Sequence, residues 1–232
     1  MAKLDSPWYK FFVAVSERLR KIYTCLHKAY GSQHWWPGET PFEVIIGAIL
    51  TQNTSWTNVE KAIFNLKAHK WLFPKKLSEV NNVKLAQAIR SAGYFNQKTK
   101  KLKNFLTFFK KKYQFSIEKM RAKELLPMRQ ELLEVNGVGP ETADSILLYA
   151  LEKSIFVIDA YTKRIFSRLG LCREDISYHD LQNLFMENLK KDVAVFNEYH
   201  ALIVHHGKYF CKKNKPLCGE CCLADICQYP SL

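Results

Sequence analysis

Four cysteines near the C-terminus, Cys211, Cys218, Cys221 and Cys227, are spaced C-x6-C-x2-C-x5-C within 17 residues. The opening residues Met1-Ala2-Lys3-Leu4-Asp5 lack the apolar stretch of a signal peptide, and no later segment approaches the roughly 20 apolar residues that span a bilayer. A soluble, cytoplasmic chain with no membrane partner is therefore expected, and there clustered thiols bind metal rather than form disulfides. Five of the seven cysteines fall in the last 22 residues, a clustering that points to a metal centre. Zinc and an iron–sulfur cluster both accept four thiolates. A zinc ribbon usually offers two C-x2-C pairs, whereas only Cys218 and Cys221 form one, which favours the cluster. Cys222 reads as a bystander, and Cys25 and Cys172 as core residues.

Most of the remaining chain reads at helical period, with no alternating run long enough for a sheet. Val157 and Ile158 are β-branched, but their stretch is too short to carry one, and an all-α fold follows. Thr40-Pro41-Phe42-Glu43 supplies a capping hydroxyl, a proline for the first helical position and a Glu three residues after the cap. The helix it opens, Val44 to Leu50, is apolar almost all round and should be central. Lys98, Lys100, Lys101 and Lys103, then Lys110-Lys111-Lys112, interleave with Leu102, Phe105, Leu106 and Phe109 in an amphipathic basic helix. Its lysines form either a solvated face or a set of phosphate contacts. With 35 Lys+Arg against 22 Asp+Glu, the formal charge of +13 points to a polyanionic partner, nucleic acid or an anionic membrane surface.

Leu132-Leu133-Glu134-Val135-Asn136-Gly137-Val138-Gly139-Pro140-Glu141-Thr142-Ala143 ends one helix and begins another, whose apolar stripe is Ala143, Ile146, Leu147 and Ala150. Glycines on both sides of Val138 allow a tight turn and leave N–H groups at a helix start, where a phosphate oxygen fits; a plain tight loop is the alternative. Asp159 lies 159 − 141 = 18 residues beyond Glu141, just before a helix expected from Ala160 to Leu169 that stops at Gly170. As an N-cap its carboxylate would be held in one orientation.

Gly137, Val138, Gly139 and the Asp159 that follows resemble the helix-hairpin-helix of the endonuclease III superfamily of DNA glycosylases, whose hairpin precedes a catalytic Asp. The cysteine spacing is similar to that superfamily's C-terminal [4Fe–4S] loop. The resemblance implies two helical lobes, residues 39–152 carrying the hairpin and residues 1–38 with 153–232 carrying the cluster, in a monomer that flips a base out of double-stranded DNA and hydrolyses its glycosidic bond. An anion such as Asp159 suits that reaction, because positive charge develops on the sugar as the bond breaks. Superfamily members that also cut the strand carry a Lys where this sequence has Glu141, so hydrolysis without strand cleavage is expected, although Lys163 or Lys208 could supply an amine.

Trp35-Trp36-Pro37, Gly47 to Thr54, Gly93 to Lys98 and Glu141 to Leu147 look like the 3-methyladenine glycosylase branch, whose aromatics sandwich electron-poor alkylated purines. By that resemblance Trp35, Trp36 and Trp56 line the base pocket together with Glu141 and Lys208. Gln52 or Asn53 lies at the gap left in the duplex, and Lys98, Lys100 and Lys101 meet DNA. Mismatched uracil or thymine, and a glycosylase that is also a lyase, are the alternative activities. A DNA-binding iron–sulfur protein without catalysis is the non-enzymatic one.

Overall fold

A computed structural model describes residues 7–33, 35 and 38–229, with the side chains of 7–13 left aside. All regular structure among the described residues is helical. Chain packing divides into two compact units, one of Trp36–Ser154 and one of Met1–Trp35 with Ile155–Leu232.

The first of these is built around α2 (Pro41–Leu50). Thr40 caps it in extended conformation, its Oγ1 accepting the Glu43 N–H at 3.2 Å, and Pro41 takes the first position, where no donor is needed. Glu43 in the first turn pairs with Lys67 at 2.9 Å. Apart from the half-buried Ala48, the rest of the helix is buried, as its all-round apolar sequence requires. Around α2 come α3 (Trp56–Ala68), the short α4 (Pro74–Glu79) and α5 (Asn82–Ala88), α6 (Phe95–Tyr113), α7 (Ile117–Ala122), α8 (Leu125–Leu133) and α9 (Pro140–Ser145). Of these, α3, α6 and α9 pack directly on it. Helix α6 turns Leu102, Phe105, Leu106 and Phe109 inward. Beyond Ser145 the helix widens into a π turn over Ile146–Ala150, in which the Leu151 N–H reaches back to the Ile146 carbonyl at 3.0 Å.

In the second unit, α1 (Pro7–Tyr30), α10 (Ala160–Arg168), α11 (Tyr178–Asn188) and α12 (Val193–Tyr209) enclose an aromatic core. Phe156 stacks on Phe185 with centroids 3.9 Å apart, and Phe196 and Tyr199 meet Phe156 edge-on at 5.4 and 5.7 Å. The apolar stretch Ile155–Ile158 is buried and lies in no helix or strand. Side chains of α11 satisfy its backbone instead. Gln182 Nε2 donates to the Phe156 carbonyl at 2.7 Å, the Phe156 N–H to Met186 Sδ at 3.3 Å, and the Ile158 N–H to the Tyr178 hydroxyl at 3.4 Å. No described helix is long and apolar enough to cross a membrane.

Phe156 is therefore the keystone of this core. Phe156→Ala is expected to lower stability by about 3–5 kcal/mol, read as a reduced urea midpoint with an unchanged slope.

Candidate functional site

The buried segment Ile155–Ile158 ends at Asp159, whose side chain is 12% exposed. Asp159 is the N-cap of α10, as its place before Ala160 suggests. Its Oδ1 accepts the Thr162 backbone N–H at 2.7 Å and the Thr162 hydroxyl at 2.8 Å. The two oxygens are thus differentiated: Oδ1 is fixed to the helix start, while Oδ2 lies 3.7 Å from Nε2 of His200 on α12. Burial pushes the His200 pKa down, against the opposing pull of the Asp159 charge. A neutral imidazole there brings no counter-charge to the carboxylate. The start of α10 is pressed onto α12 where Gly207 has no side chain: a Cβ there would stand 2.5 Å from the ring of Tyr161.

The other end of α10 holds the cysteine loop. Cys211, Cys218, Cys221 and Cys227 line one recess of about 30 Å³ together with Arg168 and His206. Arg168 donates to Cys211 Sγ at 3.3 Å and to the Lys212 and Lys213 carbonyls at 2.8 and 3.0 Å. Arg164 donates to the Cys211 and Gly207 carbonyls at 2.9 and 2.8 Å, and the Leu223 N–H to Cys221 Sγ at 3.4 Å. Burial pushes the Cys221 thiol up to about 11, a cost that a bound metal would reverse. Cys222 points to Tyr30, and the loop lysines Lys212, Lys213 and Lys215 are exposed. Among the described residues, no three His, Cys, Asp or Glu side chains are grouped as ligands of a single ion.

In the other unit, α8 and α9 form the hairpin. Arg129 and the fully buried Asp144 brace the two helices through a bidentate pair at 2.7 and 3.1 Å. Val138 is buried, and its N–H donates to the Val135 carbonyl at 2.9 Å. The flanking glycines differ in kind. Gly137 has φ +99°, and a Cβ would stand 2.4 Å from Lys101 Cγ. Gly139 has φ −94°, and its missing Cβ faces open space. Gln52 Nε2 donates to the Gly137 carbonyl at 3.0 Å and the Thr142 hydroxyl at 2.9 Å, while its Oε1 accepts from the Lys101 ammonium.

These contacts change the expected roles of several residues. Lys98 is corrected outright: it is 2% exposed and its ammonium, its pKa lowered by burial to about 8, donates to the Ala92 carbonyl at 2.6 Å, so it is turned inward and away from any phosphate. Gln52 and Lys101 are engaged with the hairpin from within. Asn53 is exposed with φ +54° at the turn after α2, and Lys100 is exposed. Trp56 is half-buried with its ring over Gly47, where a Cβ would stand 3.1 Å from the ring edge. Trp35 is half-buried, and its indole Nε1 has no hydrogen-bond partner among the described residues; Trp36 lies outside them. Glu141 is exposed in the first turn of α9. Lys208 is exposed beside Tyr209, and Lys163 donates to the Ile176 carbonyl at 2.9 Å. His200 escaped the sequence reading, although it lies two helical turns before Gly207, on the same face of α12.

Residues 46–191 match the model of the HhH-GPD superfamily base excision DNA repair proteins. The chain belongs to that superfamily. A relative in Methanocaldococcus jannaschii, provisionally named a DNA repair glycosylase, is 51% identical over 91% of this chain and 96% of its own. Among solved structures, a trapped endonuclease III–DNA covalent intermediate superposes with a TM-score of 0.79 at 25% identity, covering 92% of this chain and 95% of the other. Helicobacter pylori 3-methyladenine DNA glycosylase bound to 1,N6-ethenoadenine gives 0.70 at 29% identity, with 85% and 97% covered.

Within this HhH-GPD chain the hairpin's shape depends on Gly137. Gly137→Ala is expected to cost about 1 kcal/mol or more in urea unfolding, through both the left-handed backbone and the clash with Lys101, whereas Gly139→Ala should stay within about 0.5 kcal/mol of wild type.

Proposed function

We propose that this HhH-GPD protein is a monofunctional DNA glycosylase that hydrolyses the glycosidic bond of a damaged base in double-stranded DNA, acting in the cytoplasm. Asp159 carries the reading. A charged carboxylate in a site poorly screened by water stabilises the positive charge that develops on the sugar, and Oδ2, the oxygen not held by Thr162, is the one available to it or to the attacking water. Neutral His200 lets that charge act outward. The hairpin's part is to hold the DNA backbone through the exposed N–H side of Gly139, where the absence of a side chain permits close approach.

Hydrolysis alone is favoured by two observations. By the superfamily resemblance Glu141, a carboxylate, stands where strand-cutting members would carry the amine that forms a Schiff base, and Lys163, one turn after Asp159, has its ammonium engaged by the Ile176 carbonyl. As substrate we favour an alkylated purine such as 3-methyladenine. Support comes from the likeness to the Helicobacter pylori enzyme and from the indoles of Trp35 and Trp56, which suit an electron-poor ring.

The cysteine loop fits a [4Fe–4S] cluster. Four thiols line one recess, and guanidinium and amide N–H groups are directed at two of their sulfurs, the surroundings an anionic cluster needs. Cys211, Cys218, Cys221 and Cys227 would hold it, and its contribution is to fix the loop. Wild-type protein should bind four irons per chain.

Asp159→Asn preserves the cap but removes the charge. Base release should fall about 100-fold or more while duplex affinity is kept, and an equal rate would overturn the assignment. Scored on duplexes that each bear one lesion, wild type should release alkylated purine ahead of uracil or mismatched thymine. Borohydride should trap no adduct on abasic DNA. Gly139→Ala should weaken duplex binding with stability intact.

A further inference from the structure

A line of polar atoms connects the N-terminal helix to the cysteine loop, and base hydrolysis has no need of it. Cys222, outside the recess, places its Sγ 3.5 Å from the hydroxyl of Tyr30, the last residue of α1. That hydroxyl lies 2.8 Å from Nδ1 of His206 on α12, and Nε2 of the same ring lies 3.7 Å from Sγ of Cys221. Aromatic rings hold the imidazole plane: Phe210 stacks on His206 at 5.9 Å and on Tyr30 at 5.2 Å.

The direction of each bond follows from the chemistry of the groups. The Cys222 thiol donates to the Tyr30 oxygen, so the phenolic hydrogen is turned towards Nδ1 of His206. A ring nitrogen that accepts a hydrogen bond carries no hydrogen itself, which leaves the ring hydrogen on Nε2, the nitrogen that faces Cys221. Sulfur tolerates the longer donor distance. The Cys221 sulfur therefore receives two donors, the Leu223 amide at 3.4 Å and the imidazole. The amide is part of the loop, whereas the imidazole is oriented by a residue more than 170 positions away.

We propose that His206 is a positioning donor to the Cys221 sulfur of the iron–sulfur cluster, that Tyr30 fixes the tautomer in which it donates, and that α1 thereby sets the cluster's reduction potential. The inference rests on the cluster assignment made above. Hydrogen bonds to cluster sulfurs draw electron density away from the iron, so they favour the reduced form and resist oxidation. Removing the donor, or the hydroxyl that orients it, should shift the potential negative and make the cluster easier to oxidise.

The test uses the full chain, purified without oxygen, as wild type, Tyr30→Phe, His206→Gln and His206→Leu. Iron and sulfide content, the reduction potential by voltammetry and the rate of bleaching by ferricyanide are measured on each. Tyr30→Phe loses one oxygen and keeps its stacked ring, so it should fold and hold the cluster. It should show a negative shift and severalfold faster bleaching. His206→Leu should shift further. His206→Gln, which retains an N–H near the Nε2 position, should recover most of the wild-type potential. Should His206→Leu fail to fold, Tyr30→Phe decides the matter. An unchanged potential and bleaching rate in an iron-loaded Tyr30→Phe protein would overturn the donor role alone. Wild type without iron would overturn both that role and the cluster assignment.

Discussion

Helix α10 can lie against α12 only because position 207 has no side chain, so that the ring of Tyr161 fills the space a Cβ would need. Both ends of α10 depend on that contact. At its start Asp159 is held by Thr162 and faces His200. Towards its end Arg164 and Arg168 reach the carbonyls and the sulfur of the cysteine loop. A helix of nine residues rises only about 14 Å, so the Asp159 carboxylate and the contacts to the cysteine loop belong to one short, stiff element. A larger residue at 207 would displace both together.

In the hairpin unit electrostatic contacts add to the steric constraint at Gly137. The turn owes its shape to side chains outside it: Gln52 from the segment after α2 and Lys101 from α6 meet at the Gly137 carbonyl and backbone. Arg129 and Asp144 join the two arms through a bidentate pair whose carboxylate is fully buried. The glycines permit the turn, and these polar contacts choose it.

Much of this was legible in the residues. Thr40-Pro41-Phe42-Glu43 named a helix start and Asp159 an N-cap, because capping is a local property of the chain, and the close spacing of the four cysteines brings them around one recess. Lys98 was misread, yet its position held a signal: it stands four residues before Leu102 and on the same stripe as Phe105 and Phe109, the buried face of α6. A lysine's long apolar stem can follow that stripe inward if a carbonyl waits at its end, and Ala92 provides one. Gln52, Lys101 and His200 are different. Their partners lie 85, 49 and 41 residues away, and no local pattern encodes such pairings. The π turn beyond Ser145 was equally invisible, since its apolar sequence suits an ordinary helix.

The engagement of Lys98, Lys101 and Lys103 by acceptors inside their own unit separates two quantities that the formal charge of +13 merges. The field that draws a duplex in from a distance counts every cation. The counterions released from DNA on contact count only side chains free to reach a phosphate, such as Lys100. Association would therefore be steered by more charge than the bound complex neutralises, which suits a protein that must find DNA quickly yet leave most of it.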